Sequence, residues 1–309
     1  MKAVRIFLLI LFLMVISYLL LELNKQAKAG PEILSLTMCD VGQGDAILIQ
    51  WQSTQVLVDA GRGEKVLNCL WSELPFFDKS LELVVATHPD ADHIGGLPLV
   101  FDQFSIQTLL LPPVTRETPD FVALRDSVSR ETELIGRIQI ARSGQTIKLS
   151  DEITLTILAP LAQSDRKSIS FESSTETVLS AAQGFFPAAE GTSNDWSIVL
   201  LLQFKQFSAL LTADAESRLE LALIQAGLVG DVDVLKVGHH GSKSSTSDDF
   251  LRAITPETAL ISVGENNPYG HPTDEVLGKL RSRGVQIFRS DQLGTVTIES
   301  DGQQYWIAQ

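Results

Sequence analysis

Cysteine is scarce in this chain, with only Cys39 and Cys69 among 309 residues. Two thiols are too few for a disulfide-stapled fold, and their spacing is not that of a zinc ribbon. Export would permit one bond between them; two buried thiols are the plainer expectation. Basic side chains are also in deficit, 24 Lys and Arg against 38 Asp and Glu. Four of the basic and one of the acidic residues lie in residues 1–29, so the remainder carries 20 against 37, a net charge of −17. That balance argues against a broad nonspecific grip on nucleic-acid phosphates, which rests on Lys and Arg displacing counterions, and leaves room for a local basic groove. No internal repeat is visible. What the chain does have is apolar residues, 44% of the total, enough for one large core or two modest ones and too many for a disordered chain.

Lys2 and Arg5 precede an unbroken apolar run over residues 6–21, and Ala27-Lys28-Ala29 follows with an A-x-A pattern. The run is short for a spanning helix and long for the apolar region of a leader. Residues 1–29 are therefore expected to be a signal peptide cleaved after Ala29 or an N-terminal membrane anchor through residues 6–21. A buried core helix would be amphipathic, and this run is not. Either way residues 30–309 are expected outside the cytoplasm: secreted, periplasmic, or anchored to the membrane and facing outward.

From residue 33 onward strand-like and helical stretches alternate, which predicts two α/β halves. Strands are expected at 33–39, 46–51 and 55–58, a helix at 64–74, and an apolar strand at 81–86 that runs into the segment 87–93, where a helix begins near His93. Residues 161–195, rich in Ser, Thr and Ala, interrupt the alternation and read as a surface insertion, either a mobile loop or a lid. Strands at 197–204 and 207–211, a helix at 215–225, a strand at 232–237, a helix at 247–253, a strand at 259–263, a helix at 274–283 and C-terminal strands after it complete the second half.

All five histidines fall in three short clusters at expected strand ends: His88 with His93, His239 with His240, and His271. In Thr87-His88-Pro89-Asp90-Ala91-Asp92-His93, two imidazoles and two carboxylates sit within six residues at a strand mouth, a set that suits divalent metals. The plain alternative is a solvated turn in which Asp92 caps the next helix. Gly95 and Gly96 favour the metal reading, because a backbone without Cβ atoms lets that helix approach its neighbours closely. For Asp214 the plain alternative is a helix N-cap, for Asp59 a turn, and for residues 242–247 a solvated Ser-rich loop.

The segment 87–93 resembles the metal motif of the metallo-β-lactamase superfamily, with Asp90 where a second histidine is usual. Further motifs stand in the same order along the chain: Asp40-Val41-Gly42-Gln43-Gly44-Asp45-Ala46, Asp59-Ala60-Gly61, Leu211-Thr212-Ala213-Asp214-Ala215-Glu216, Lys236-Val237-Gly238-His239-His240-Gly241-Ser242 and Asn266-Asn267-Pro268-Tyr269-Gly270-His271-Pro272. Together they are similar to the extracytoplasmic hydrolase domain of bacterial ComEC competence proteins, from about residue 33 to the C-terminus. The resemblance implies an α/β fold, the αββα sandwich of two mixed sheets flanked by helices. The large transmembrane channel region of those proteins has no match, so a stand-alone domain is expected, and DNA uptake through this chain itself is excluded.

Carried over by position, His88 and Asp90 would hold one metal, Asp92 and His93 a second, and Asp214 would bridge them. His239 would complete the second site, with His240 as the alternative. Asp92 and His271 would be the catalytic residues, His271 donating a proton or contacting a phosphoryl oxygen. Asp59 would orient ligands, and Ser242 and Lys243 would bind an anion. The superfamily commonly has another metal histidine between the first motif and Asp214, an interval without histidine here. Water, His271 or a substrate oxygen would fill that place, and a centre mononuclear at rest stays open.

A carboxylate at position 90 hardens the site, so the expected cofactors are two divalent ions, Mn2+ or Zn2+ foremost, with Fe and Mg2+ also compatible. Metal coordination lowers the pKa of water enough to populate hydroxide near neutral pH, the expected nucleophile. The leading expectation is a phosphodiesterase or nuclease, with DNA as the favoured partner. A lactone, β-lactam or thioester hydrolase is the alternative, and a non-catalytic metal-binding or partner-docking module the third.

Overall fold

The computed structural model describes residues 32–114, 116–131, 134–161 and 192–308. The expected leader, and residues 162–191 of the expected insertion, lie outside the described residues. Among the described residues no helix is long and apolar enough to cross a membrane.

Leu34–Gln309 forms one unit built on two sheets. The first contains β1 (Leu34–Met38), β2 (Ile47–Trp51), β3 (Thr54–Val58), β4 (Ser80–Val85), β5 (Ser105–Leu111), β6 (Ile135–Ile140), β14 (Val296–Ser300) and β15 (Tyr305–Ile307). Its order is β15-β14-β1-β2-β3-β4-β5-β6, antiparallel through β3 and parallel from β3 to β6. The second contains β7 (Thr146–Lys148), β8 (Ile153–Ala159), β9 (Val199–Phe204), β10 (Phe207–Leu211), β11 (Val234–Lys236), β12 (Thr258–Ile261) and β13 (Gln286–Arg289). It runs β13-β12-β11-β10-β9-β8-β7, antiparallel from β7 to β10 and parallel from β10 to β13.

Alternation along the strands explains the layering. In β3 and β4, Val56, Val58, Leu83 and Val85 turn to the core shared with the other sheet, while Leu57 and Val84 turn outward to a second core. In β9 and β10, Leu200, Leu202 and Leu211 join the shared core, and Val199 and Leu210 face a third. The outer cores are closed by helices, among them Lys65–Glu73 on the first sheet and Ser217–Gln225, Asp248–Ile254 and Asp274–Ser282 on the second. Each sheet is therefore apolar on both faces and needs a cover on each, which gives the αββα sandwich.

The expectation of two buried thiols is corrected. Cys39 follows β1, Cys69 lies on the helix that covers the same core, their Cα atoms are 5.9 Å apart, and the two form a disulfide. The geometry is within bridging range. The bond closes a separation of 30 residues, so replacing both cysteines by serine is expected to cost about 3–4 kcal/mol through loop-closure entropy. Denaturation under oxidising conditions checks this, and a loss below about 1 kcal/mol would contradict it.

The helix expected near His93 begins earlier, at Ala91, and ends at Ile94; a second short helix, Leu97–Phe101, follows Gly95-Gly96. Gly96 allows the close approach anticipated for it, since a Cβ there would fall 2.3 Å from the carbonyl oxygen of Ala60.

Candidate metal centre

The functional side chains lie beyond the C-terminal ends of neighbouring strands: Asp59 after β3, His88 after β4, Asp214 after β10, and His239 with His240 after β11. Ligand sites of α/β sheets favour that edge. The turns that deliver them are strained. Asp59, Ala213, His239 and His240 have φ of 61°, 46°, 46° and 53°, a region costing non-glycine residues about 1–3 kcal/mol each. Gly44 permits a further close approach, because a Cβ there would lie 2.1 Å from the backbone oxygen of Asp92.

Asp214 is the hub. Its Oδ1 lies 3.3 Å from His93 Nε2 and 3.6 Å from His240 Nε2, and its Oδ2 lies 3.8 Å from His88 Nε2 and 3.7 Å from His239 Nε2. Asp92 Oδ2 is 3.6 Å from His240 Nε2, and Asp90 Oδ2 is 3.8 Å from His88 Nε2. Both paired histidines thus turn inward, on opposite oxygens of Asp214. His240 stands with Asp92 and His93, where His239 was expected, and His239 stands on the His88 side. His93, His88 and Asp214 bring single donor atoms within 4.8 Å of one another, as do Asp92, His93 and His240.

The other ring nitrogens are spoken for. His93 Nδ1 donates to Asp59 Oδ2 at 2.7 Å, and His240 Nδ1 to the Ser262 carbonyl at 2.8 Å. His239 Nδ1 is 3.0 Å from Glu216 Oε1. Thr87 donates its hydroxyl to Asp59 Oδ2 at 2.6 Å, so its oxygen accepts from His88 Nδ1 at 3.0 Å. This network makes Nδ1 the protonated atom of neutral His88 and leaves the Nε2 lone pair facing the centre. The buried Nε2 atoms of His88, His93 and His240 have no hydrogen-bond partner, and neither does Asp214 Oδ1. Buried polar atoms left unpaired and converging on one point, each imidazole held from behind, are what a divalent cation requires.

The capping alternatives do not apply. The helix at Ala91 has Asp90 at its N-cap with no side-chain capping bond, and the helix after Asp214 starts at Ser217 with Glu216 at its N-cap. Asp59 both occupies a turn and accepts from Thr87 and His93. His271 sits beside His239, ring centroids 5.7 Å apart, and Asn267 pins its backbone. Lys243 is exposed, while Ser242, Ser245 and Thr246 are buried. Ser242 and Ser244 share a hydroxyl contact of 2.9 Å, and Ser245 donates to the Gly238 carbonyl at 2.6 Å. These hydroxyls brace the turn carrying the histidine pair rather than forming a solvated loop. Glu220, fully buried, holds the same turn through the Ser247 amide at 2.9 Å.

Electrostatics follow from burial and crowding. Burial, then repulsion from His93, pushes His88 down to about 4. Burial acts downward on His240 too, but Asp214 and Asp45 outweigh it and raise it to about 9. His93 is likewise raised well above the usual range against its burial, by Asp214 and Asp59. Burial would raise Asp214 and Asp92, yet His93 and His240 draw the first well below the usual carboxylate range, and the close approach of His240 with the charge of His93 does the same for the second.

Sequence reasoning gave no role to Asp45, Lys236, Glu216, Arg116, Ser193 or Asn194. Asp45 and Lys236 form a buried ion pair behind His240, whose Nδ1 is 3.4 Å from Asp45 Oδ1. Ser193 and Asn194 belong to the short 3-10 helix Ser193–Trp196 at the end of the expected insertion, and both are buried beside the centre.

Comparison with known proteins agrees with this architecture. Residues 39–265 match the model of the metallo-beta-lactamase superfamily. The chain is 29% identical to ComE operon protein 3 of Bacillus subtilis over 84% of its length and 32% of that protein's. It is 29% identical to Recombination protein 2 of Haemophilus influenzae, over 84% of this chain and 28% of the relative, and 25% identical to Competence protein ComA of Neisseria gonorrhoeae, over 85% and 32%. The chain thus spans about a third of the length of these relatives. Among solved structures, a mutant of the CmlA beta-hydroxylase superposes with a TM-score of 0.51 at 13% identity, covering 87% of this chain and 54% of that one; this likeness bears on the fold alone. With the family match extending over more than half of its length, the chain belongs to the metallo-beta-lactamase superfamily.

Proposed function

We propose that this protein is an exported metal-dependent phosphodiesterase acting on nucleic acid, with DNA the favoured substrate. One observation carries the reading: the two oxygens of Asp214 each face their own histidine pair, His88 with His239 and His93 with His240. In this reading Asp90 joins the first pair and Asp92 the second, and Asp214 bridges two positions. Asp59 keeps His93 and, through Thr87, His88 in the tautomers that present Nε2. Divalent ions bound there supply Lewis acidity and an acidified water, and a pair of them suits in-line displacement at phosphorus. A carboxylate at position 90 in place of an imidazole hardens the donor set and moves the preference from Zn2+ towards Mn2+, with Zn2+ still compatible. In this reading His271, beside His239, would donate a proton or contact a phosphoryl oxygen, and Lys243 would meet substrate phosphate. Relatives named for competence and recombination support nucleic acid as substrate. The disulfide supports an oxidising compartment.

The test is turnover by protein stripped of metal and reloaded with Mn2+ or Zn2+, on single-stranded DNA and on a chromogenic phosphodiester, beside Asp92→Asn. Metal-dependent turnover that the variant loses supports the reading, and preference for DNA makes the enzyme a nuclease. Stoichiometric metal without turnover on either substrate overturns it and favours lactone, β-lactam or thioester hydrolysis, or a docking role.

A further inference from the structure

Asp90 stands where the superfamily usually places an imidazole, and the structure shows how a carboxylate is made to serve. An aspartate has two equivalent oxygens and free rotation about χ2, so by itself it is a less defined donor than a ring nitrogen. Here each oxygen has a partner. Arg116 Nη1 donates to Oδ1 at 2.7 Å, and the Ser193 hydroxyl donates to Oδ2 at 2.7 Å; Arg116 also donates to Ser193 Oγ at 3.0 Å. Oδ2 is the oxygen that faces His88 Nε2.

Both partners arrive from far along the chain. Arg116 lies in the loop after β5, and Ser193 in the 3-10 helix whose N-terminus is fixed by a reciprocal pair of hydrogen bonds between Thr192 and Asp195. The next residue of that helix, Asn194, donates to Glu216 at 3.3 Å and lies 3.4 Å from His239 Nδ1. One turn therefore reaches behind two donors of the same position, Asp90 and His239. The opposite position is braced differently, by buried Asp59 and the Ser262 carbonyl.

We propose that Arg116 is a positioning residue for the metal position formed by His88, Asp90, His239 and Asp214: by occupying Oδ1, with Ser193 steadying Oδ2, it makes Asp90 a one-atom donor in place of an imidazole. This rests on the two-position reading above. Arg116 is half exposed, so its replacement leaves the core intact, and it touches no donor other than Asp90 in that bonding pattern.

The experiment titrates the metal-free full chain with Co2+, following affinity and the visible d–d spectrum, for wild type, Arg116→Ala and Arg116→Gln. Wild type is expected to take two equivalents. In Arg116→Ala one of the two equivalents should bind about 10–100-fold less tightly, the range found when partners of metal ligands are removed. Its absorption should also fall, as Asp90 turns away or binds through both oxygens. Arg116→Gln keeps an N–H donor and should restore the wild-type spectrum. The other equivalent should be unchanged throughout and serves as the internal control for folding. Two equivalents in Arg116→Ala with wild-type affinities and spectra, or a tighter second equivalent, overturns the proposal alone. A wild type that binds a single equivalent overturns the two-position reading and the proposal with it.

Discussion

Asp214→Asn is expected to lower turnover by about three orders of magnitude, since losing several kcal/mol of metal-derived transition-state stabilisation translates to that factor. The side chain offers one oxygen to His93 and His240 and the other to His88 and His239. An asparagine keeps one weak, neutral oxygen and turns an N–H donor toward the other histidine pair, so one position loses its bridging atom and the other loses charge. The turn itself survives: Thr212 donates to the Lys236 carbonyl at 2.6 Å, and the Ala215 amide to the Thr212 carbonyl at 2.9 Å. The expected result is a folded protein that binds fewer than two equivalents by elemental analysis. Wild-type stoichiometry together with wild-type turnover would remove Asp214 from the centre.

The parts of the fold legible in the sequence are those where one pattern dominates. The apolar run ahead of His88, the β1–β3 meander and the alternating helices of the second half were all expected close to where they occur. The sequence pattern assigns no elements to residues 105–159, which form β5 to β8 and the helix Pro119–Arg130. The physical reason lies in position: β6 and β7 are the outermost strands of their sheets, and stretches such as Gly136-Arg137 or Thr146-Ile147-Lys148 lack the continuous apolar character of a central strand.

The centre shows the same division. His88, Asp90, Asp92, His93 and Asp214 could be picked out by residue type and local spacing. Ser193 reaches Asp90 across 103 positions and Arg116 across 26, and nothing local announces such partners. Asp45 and Lys236 are a different case, because both lay inside recognised motifs. A lysine inside an apolar strand, where an unpaired ammonium is costly, was the available signal for a buried acidic partner. The histidine pair was ambiguous because successive residues on regular structure face different ways. Left-handed backbone at both His239 and His240 bends the chain so that the two rings reach opposite oxygens of Asp214.

Metal loading is expected to be strongly proton-coupled. In the metal-free protein His240 titrates at about 9 and His93 is raised well above the usual range, so both carry protons at neutral pH. Each must lose one to present Nε2, whereas His88, pushed down to about 4, is already neutral. Between pH 6.5 and 8 the affinity of the position that uses both rings should therefore rise by up to about 100-fold per pH unit, tenfold for each proton released. Stability of the metal-free protein moves the opposite way. For a histidine whose pKa is higher folded than unfolded, the stabilisation is fully present below the unfolded value near 6.5 and is lost as pH rises through the folded value. The metal-free form should weaken from pH 6.5 toward 9, where Asp45, Asp59, Asp92 and Asp214 face rings that no longer carry charge. The loaded form should gain stability over the same interval. Calorimetric titration in buffers of different ionisation enthalpy at pH 7 should report about two protons released per ion at that position. Release of none, with an affinity flat from pH 6.5 to 8, would show that His93 and His240 are neutral before the metal arrives.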